Sequence, residues 1–193
     1  MENLRKMGIY IDLSNVELTS VDLNIKGMAI DYSLLVKDIA EGYELTVLRA
    51  YDGIAASGMT PLQKSLRSAG FDVMLYEPQV KIDNTTGKKT LVQKEVDTAI
   101  TTDVSWDLAF KKVDCAVIVS GDRDMHPAVK RALEEGCDVK VVALSNSLSD
   151  EYLKSLEKYT LMEDYEVFTL GDTLEPVQNF VSSEIVRGAA VNE

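Results

Sequence analysis

The chain has 193 residues, of which 46% are hydrophobic and 27% are charged, and this composition is that of one ordinary globular domain. Its net charge of −12 argues against a general nucleic-acid coat protein, which needs a basic field, but does not exclude a nuclease with a local basic strip. Because the charged N-terminus resembles no signal peptide, no apolar run is long enough to span a membrane, and the two cysteines have no metal-ligand spacing, we expect a cytoplasmic protein without membrane association.

Predicted strands and helices alternate along the chain, because short apolar runs are followed by stretches with apolar residues at helical spacing. In chain order we predict a strand at 7–11, a loop at 16–29, a helix at 32–41, a strand at 45–51, a helix at 60–70, a strand at 72–76, a hairpin at 79–93, a helix at 96–111, a strand at 116–119, a helix at 124–135, a strand at 139–143, a helix at 149–156 and a short strand at 167–170. The helix at 60–70 is the best marked, since Thr60, Pro61 and Gln63 form a capping-box sequence.

Single helices between strands predict an α/β fold with a doubly wound, mostly parallel sheet of five or six strands, because crossover connections are right-handed. With the main strands numbered along the chain, the expected order is 3-2-1-4-5. This order places strand 1 (7–11) beside strand 4 (116–119), where the winding reverses. Ligands of open α/β sheets bind at the carboxyl ends of the strands at such a reversal, so we expect the functional site there.

Aspartates occupy this predicted edge. Asp12 ends strand 1, Asp122 and Asp124 follow strand 4, and Asp97 lies in the first turn of the helix that leads into strand 4. Two carboxylates about 4 Å apart repel by roughly 4 kcal/mol at an effective dielectric near 20, so some would be protonated without a cation. Mg²⁺ suits such oxygen ligands. Structural alternatives stay open: Asp12 and Asp122 as turn residues, Asp97 as a helix-start acid, and Asp124 as the N-cap of the next helix.

Several segments, taken together and in chain order, resemble the NYN domain family, the PIN-like ribonuclease group that includes LabA-type bacterial proteins. The matching segments are Tyr10-Ile11-Asp12-Leu13-Ser14-Asn15, Lys94-Glu95-Val96-Asp97 with Asp103 six residues later, Val119-Ser120-Gly121-Asp122-Arg123-Asp124-Met125-His126-Pro127 and the trailing 136–143. Because Asp103 cannot share a helix face with Asp97, a structural role for it stays open. The resemblance implies a PIN-like, Rossmann-like three-layer fold, a divalent metal (Mg²⁺ or Mn²⁺) and cleavage of RNA. We expect the domain to occupy residues 1–170 and residues 171–193 to form a partly disordered tail.

The resemblance also assigns roles by motif position. It implies that Asp12, Asp97 and Asp122 bind the metal and that Asp124 is an auxiliary catalytic acid. Asn15 and Ser120 would orient ligands or water. His126, the one histidine, falls where the family needs no residue.

Four lysines lie on or just after the predicted hairpin: Lys81, Lys88, Lys89 and Lys94. They could hold RNA phosphates on the path to Asp97, or they could be solvated residues that discourage edge pairing of strands. Two functional hypotheses follow. The first is a metal-dependent RNA endonuclease. The alternative is a non-catalytic regulatory or RNA-binding adaptor on the same fold that works through protein partners, and the resemblance further implies a homodimer.

Overall fold

The computed structural model describes residues 4–22, 28–82, 89–92, 95–155 and 159–170. Within these ranges the strands are β1 (Lys6–Asp12), β2 (Met28–Ile30), β3 (Glu44–Gly53), β4 (Asp72–Tyr76), β5 (Gln79–Ile82), β6 (Lys89–Val92), β7 (Cys115–Val119), β8 (Asp138–Ala143), β9 (Tyr159–Leu161) and β10 (Phe168–Leu170). The α-helices are α1 (Leu13–Asp22), α2 (Tyr32–Ile39), α3 (Pro61–Ser68), α4 (Glu95–Ala109), α5 (His126–Glu134) and α6 (Asp150–Ser155), and short 3₁₀ turns occupy Arg123–Met125 and Met162–Asp164.

Six parallel strands form the main sheet in the order β4-β3-β1-β7-β8-β9. The predicted α/β class is confirmed, and the five predicted main strands lie in the predicted order. The details at the far edge differ. The sixth strand is β9, which was not predicted, while β10 pairs antiparallel with β2 in a separate small sheet. The small sheet is tied to the start of α2 by the Asp31 N–H, which donates to the Val167 carbonyl at 2.8 Å.

The predicted loop at 16–29 is wrong at both ends, because α1 begins directly after β1 and β2 begins at Met28. Leu13 and Val16 are buried against the sheet, and this short apolar pair supplies the packing of an otherwise polar helix. The hydroxyls of Thr19 and Ser20 donate back to carbonyls one turn earlier, so these polar side chains are satisfied within the helix. Residues 23–27 of the predicted loop lie outside the described part of the chain.

Two other local predictions are confirmed. Thr60 caps α3 as expected: its hydroxyl accepts from the Gln63 N–H, and the Gln63 side chain accepts from the Thr60 N–H at 2.9 Å. Strands β5 and β6 pair antiparallel as the predicted hairpin. The Gln79 amide donates to the Glu95 carboxylate at 2.8 Å and joins the base of that hairpin to the start of α4.

The sheet is covered on both faces, which gives three layers. On β1, Ile9 and Ile11 pack into one core cluster, whereas Tyr10 between them packs into the other, as alternation along a strand requires. The first cluster holds buried residues of α1, α2 and α3, and the second holds those of α4, α5 and α6. None of the described helices is long and apolar enough to cross a membrane.

Candidate active site

The winding of the sheet reverses between β1 and β7, which are direct neighbours. Ile11 is paired with Val119 near the carboxyl ends of the two strands. Asp12 and Ser120 therefore follow paired residues at one edge of the sheet. This is the edge at which the sequence predicted a site.

Asp12 is buried, with 4% of its surface exposed, and both of its carboxylate oxygens are hydrogen-bonded. One oxygen accepts from the Asn15 backbone N–H at 3.0 Å, and the other accepts from the Ser120 hydroxyl at 3.2 Å. The first of these bonds has the spacing of a helix N-cap, because α1 starts at the next residue. The two bonds fix the carboxylate between the ends of β1 and β7.

Asn15 and Ser120 hold the two strand ends together. The Asn15 side-chain oxygen accepts from the Gly121 N–H at 3.1 Å. The Ser120 hydroxyl, which donates to Asp12, also accepts from the Asp122 N–H at 3.2 Å. Both side chains thus contact the backbone that carries Asp122.

Asp122 caps the 3₁₀ turn that follows β7. Its carboxylate accepts from the Asp124 N–H at 2.9 Å, and its carbonyl accepts from the Tyr152 hydroxyl at 3.0 Å. The prediction that Asp124 caps the next helix is wrong, because Asp122 takes the capping position of a 3₁₀ turn that precedes α5. The Asp124 carboxylate is 67% exposed and lies 3.9 Å from Arg123.

Gly121 is required by close packing beneath this turn. A Cβ added there would lie 2.3 Å from the Ser147 carbonyl oxygen, well inside van der Waals contact. The Gly121 carbonyl in turn accepts from the Ser149 N–H at 3.1 Å. The loop before α6 therefore supports the segment that carries Asp122, a contact that the sequence alone did not reveal.

The acids interact electrostatically. Burial, together with the neighbouring Asp97 and Asp122 carboxylates, raises the pKa of Asp12 to about 6, against the opposing effect of its hydrogen bonds. Burial also raises the pKa of the half-buried Asp97 to about 6, together with repulsion from Asp122 and Asp124. The fold therefore brings Asp12 and Asp97 into electrostatic range of Asp122, and Asp97 into range of Asp124.

The donor chemistry of these acids suits a hard divalent cation. In the described part of the chain, no arginine or lysine forms an ion pair with Asp12, Asp97 or Asp122. The same residues contain no group of three acidic, histidine or cysteine side chains already arranged around a metal position. Mg²⁺ commonly takes one or two protein carboxylates and completes its shell with water and substrate phosphate, so a loose set of acids fits it.

The other residues that the sequence analysis considered lie at other positions in the described structure, or outside it. Asp103 accepts from the Tyr51 hydroxyl at 2.7 Å and pairs with Arg49 at 3.2 Å, so it is structural. His126 packs edge-to-face against Tyr152 with ring centroids 5.4 Å apart. Lys81 and Lys89 lie in the hairpin strands β5 and β6. Lys88, Lys94 and the predicted tail at 171–193 lie outside the described residues.

Sequence reasoning missed Tyr152, which is fully buried and supports the Asp122 backbone from α6. It also missed a pocket of about 600 Å³ beside Asp97 and Asp124, which Arg123 helps to line. Arg123 stands inside the motif between two aspartates, and that position was the one available indication. Nothing in the sequence linked Tyr152 to the site, because the contact is made only in the tertiary structure.

Comparisons with known proteins agree with this architecture. The profile of the NYN domain family matches residues 6–163, which is most of the chain. Among solved structures, a protein of unknown function from Vibrio parahaemolyticus is similar, with 24% sequence identity and a TM-score of 0.65 over 86% of this chain and 98% of that one. At this identity the likeness concerns the fold alone. No curated protein matches the chain.

Proposed function

The chain belongs to the NYN domain family of the PIN-like superfamily, and from that premise we propose that it is a metal-dependent RNA endonuclease that hydrolyses phosphodiester bonds. One observation carries the proposal. Asp12, Asp97 and Asp122 lie at the carboxyl edge between β1 and β7, repel one another, and have no arginine or lysine ion pair among the described residues. Such an arrangement calls for a cation from outside the chain.

The metal-binding role falls to Asp12, Asp97 and Asp122, with Mg²⁺ or Mn²⁺ as the ion. NYN and PIN-like nucleases generally use divalent metals, and the hard carboxylate oxygens here match that preference. A bound divalent ion would lower the pKa of a coordinated water and neutralise the charge of a phosphodiester.

The other residues of the site have positioning roles. Ser120 and Asn15 hold Asp12 and the backbone of Asp122 in place through the hydrogen bonds described above. Asp124 is exposed at the rim, where its carboxylate can accept a proton or orient a water. In this proposal Asp12, Asp97 and Asp122 hold the ion, whereas Asp124 faces the substrate.

RNA is the proposed substrate because NYN domains are associated with RNA. The lysines on or just after the predicted hairpin, Lys81, Lys88, Lys89 and Lys94, are the proposed phosphate contacts. The hairpin precedes α4, and its base is joined to the helix start by the Gln79–Glu95 bond. A basic strip there would offset the overall negative charge along the RNA path.

The test is cleavage of a labelled single-stranded RNA with Mn²⁺ or Mg²⁺. We expect the wild-type protein to cleave it, EDTA to stop the reaction, and Asp122→Asn to reduce the rate at least about 100-fold, since one charge that stabilises a transition state is worth that much. The new amide can still cap the 3₁₀ turn. Asp38→Asn on α2, in the opposite layer, is the matched control and should cleave normally. Cleavage that survives both EDTA and Asp122→Asn would contradict the proposal.

The non-catalytic adaptor is the second candidate. It is favoured by the lack of a preformed three-residue metal cluster among the described residues. An adaptor would bind RNA without cleaving it, and its affinity would not depend on divalent metal. Binding and cleavage of the same RNA, measured with and without Mn²⁺, therefore separate the two.

A further inference from the structure

A pocket of about 600 Å³ adjoins the proposed metal site. Asp97 from α4 and Asp124 from the 3₁₀ turn line it, and further residues from α5 and α6 complete the wall, among them His126 and Glu151. Small-molecule sites usually measure about 300–1,000 Å³, so this pocket is large enough for one nucleotide. Its contact with Asp97 and Asp124 places any occupant beside the acids.

Arg123 is the one arginine or lysine among the described residues that line this pocket. Its side chain is 72% exposed, and its ion pair with Asp124 spans 3.9 Å. Glu151, which also lines the pocket, attracts the guanidinium as well. Exposed pairs of this kind are weak, so the guanidinium can exchange them for a stronger partner. A phosphate can take two parallel hydrogen bonds from it, which makes phosphate the favoured partner.

His126, which also lines the pocket, is held by neighbouring side chains. The His126 ring packs against the buried Tyr152 at 5.4 Å, and the Tyr152 hydroxyl is bonded to the Asp122 carbonyl. This chain of contacts fixes the position of His126 relative to the acids. Histidine rings are among the side chains on which unpaired RNA bases stack.

We propose that this pocket binds the nucleotide next to the scissile phosphodiester of single-stranded RNA, with Arg123 paired to its phosphate and His126 beside its base. The inference rests on the proposed function, because it extends the same site. It gives the RNA a contact in a pocket lined by residues of α4, the 3₁₀ turn, α5 and α6, in addition to the proposed lysine contacts. Arg123 is then a positioning residue that sets the register of the RNA over the acids.

The experiment measures the affinity of a short single-stranded RNA for protein in the Asp122→Asn background, where cleavage is suppressed. We expect Arg123→Ala to weaken binding roughly tenfold and Arg123→Lys to weaken it less, since lysine keeps the charge but not the fork. Arg131→Ala is the matched control, because Arg131 is 71% exposed on α5 but pairs with Glu134 and Glu135. It should change the affinity less than about twofold.

A modified RNA identifies the contact. Neutral methylphosphonates replace the flanking phosphates of the RNA one at a time. For the protein with Arg123 intact, we expect one of these replacements to weaken binding as much as Arg123→Ala weakens binding of the unmodified RNA. At that position the two changes together should weaken binding no more than either alone, because they remove the same interaction. In the cleaving enzyme, Arg123→Ala should raise KM more than it lowers kcat.

The outcomes separate the two proposals. If the wild-type protein cleaves RNA but Arg123→Ala binds normally, or no more weakly than Arg131→Ala, the pocket assignment is wrong and the nuclease stands. Fully additive effects of Arg123→Ala and every methylphosphonate would also contradict it. If RNA binds and Arg123→Ala weakens it without any cleavage by the wild type, the pocket stands and the nuclease fails. If the wild-type protein neither binds nor cleaves RNA, both fail.

Discussion

At the scale of single residues, the candidate site lowers the stability of the folded, metal-free protein. Asp12 is buried among other acids, and no side chain of opposite charge pairs with it in the described part of the chain. A buried charge without a cationic partner destabilises the folded state, and residues that function together often carry such a penalty. The metal-free protein should therefore be less stable with the Asp12 charge than without it.

Asp12→Asn should raise the melting temperature of the metal-free protein. The new amide can accept from the Asn15 N–H and donate to the Ser120 hydroxyl, so the geometry is kept. Because the folded-state pKa of Asp12 is raised to about 6, the stability of the wild type falls as the pH rises from about 4 through 6 and the carboxyl ionises. We expect the variant to gain about 2 kcal/mol, or roughly 4–8 °C, at pH 8 and less at pH 5.

Thermal unfolding in EDTA at the two pH values measures this gain. Asp38→Asn, which lies on α2 in the opposite layer, is the control and should change neither value by more than about 0.5 kcal/mol. A lower melting temperature for Asp12→Asn at pH 8 would mean that its charge is compensated within the chain.

Gly121 gives a second prediction at this scale. Gly121→Ala should lower both the melting temperature and the affinity for Mn²⁺, because its Cβ would lie 2.3 Å from the Ser147 carbonyl and push Asp122 away. Calorimetry and thermal unfolding measure the two effects. Ser147→Ala should not rescue them, because it removes the Oγ atom at 2.4 Å but leaves the backbone carbonyl at 2.3 Å. Normal metal binding by Gly121→Ala would show that this packing does not position Asp122.

At the scale of elements, α4 is anchored far from the end that carries Asp97. Asp107 is 1% exposed near the end of the helix. It accepts from Arg49 at 2.9 Å, from Lys112 at 2.9 Å and from the Tyr10 hydroxyl at 3.0 Å. Arg49 lies on β3 and Tyr10 on β1, so the network fixes the helix to two strands. Because Asp97 lies at the other end of the same helix, the network also fixes Asp97 over the sheet edge.

Asp107→Asn should be destabilising. The Arg49 guanidinium would lose its closest charge partner but keep Asp103 at 3.2 Å, so we expect the lost charge-assisted hydrogen bonds to cost about 1.5–3 kcal/mol, or roughly 3–12 °C in melting temperature for a chain of this size. Glu134→Gln, which removes an exposed charge from α5, is the matched control and should change stability by less than about 0.5 kcal/mol. Equal melting temperatures for the two variants would contradict the anchoring role.

The elements also reveal what the sequence can predict. The strand order followed from apolar runs and the handedness of crossovers, and the Thr60–Gln63 capping box is a purely local signal. The start of α1 was missed because only Leu13 and Val16 mark its buried face. The cap at Asp122 was misassigned to Asp124 because a 3₁₀ turn precedes the helix. Such short-range alternatives differ by little energy and are decided by tertiary packing.

The residues of the candidate site also divide into those that the sequence predicts and those that it does not. Asp12 and Asp122 could be located because they end apolar strands, and Asp97 because its helix leads into β7. Ser147 and Tyr152 could not be found, because each contacts the motif across a loop with no sequence pattern of its own. Sequence periodicity thus locates the edge of the sheet, while the support of that edge depends on contacts between distant segments.

At the scale of the whole molecule, charge sets a problem for RNA binding. The net charge is −12, so RNA is repelled over most of the surface and must be attracted locally. The hairpin carries Lys81 and Lys89 in its strands, next to the start of α4. If these lysines contact phosphates, RNA affinity should fall steeply with salt despite the acidic protein.

The double change Lys81→Gln and Lys89→Gln should weaken RNA binding and flatten its salt dependence. The slope of log affinity against log salt should decrease by about 0.7 for each phosphate of single-stranded RNA that the variant no longer neutralises. Lys37→Gln with Lys64→Gln, on α2 and α3 in the opposite layer, is the matched control. An unchanged slope in the hairpin variant would show that Lys81 and Lys89 do not contact RNA phosphates and are solvated residues at the strand edge.

Calorimetric titration of Mn²⁺ into the metal-free protein and its Asp122→Asn variant decides whether the aspartates bind a cation. We expect saturable binding by the wild type and at least about tenfold weaker binding by the variant, because one of the proposed ligands loses its charge. Absence of binding at millimolar Mn²⁺, or equal affinity in both proteins, would contradict the claim that these aspartates gather a divalent ion.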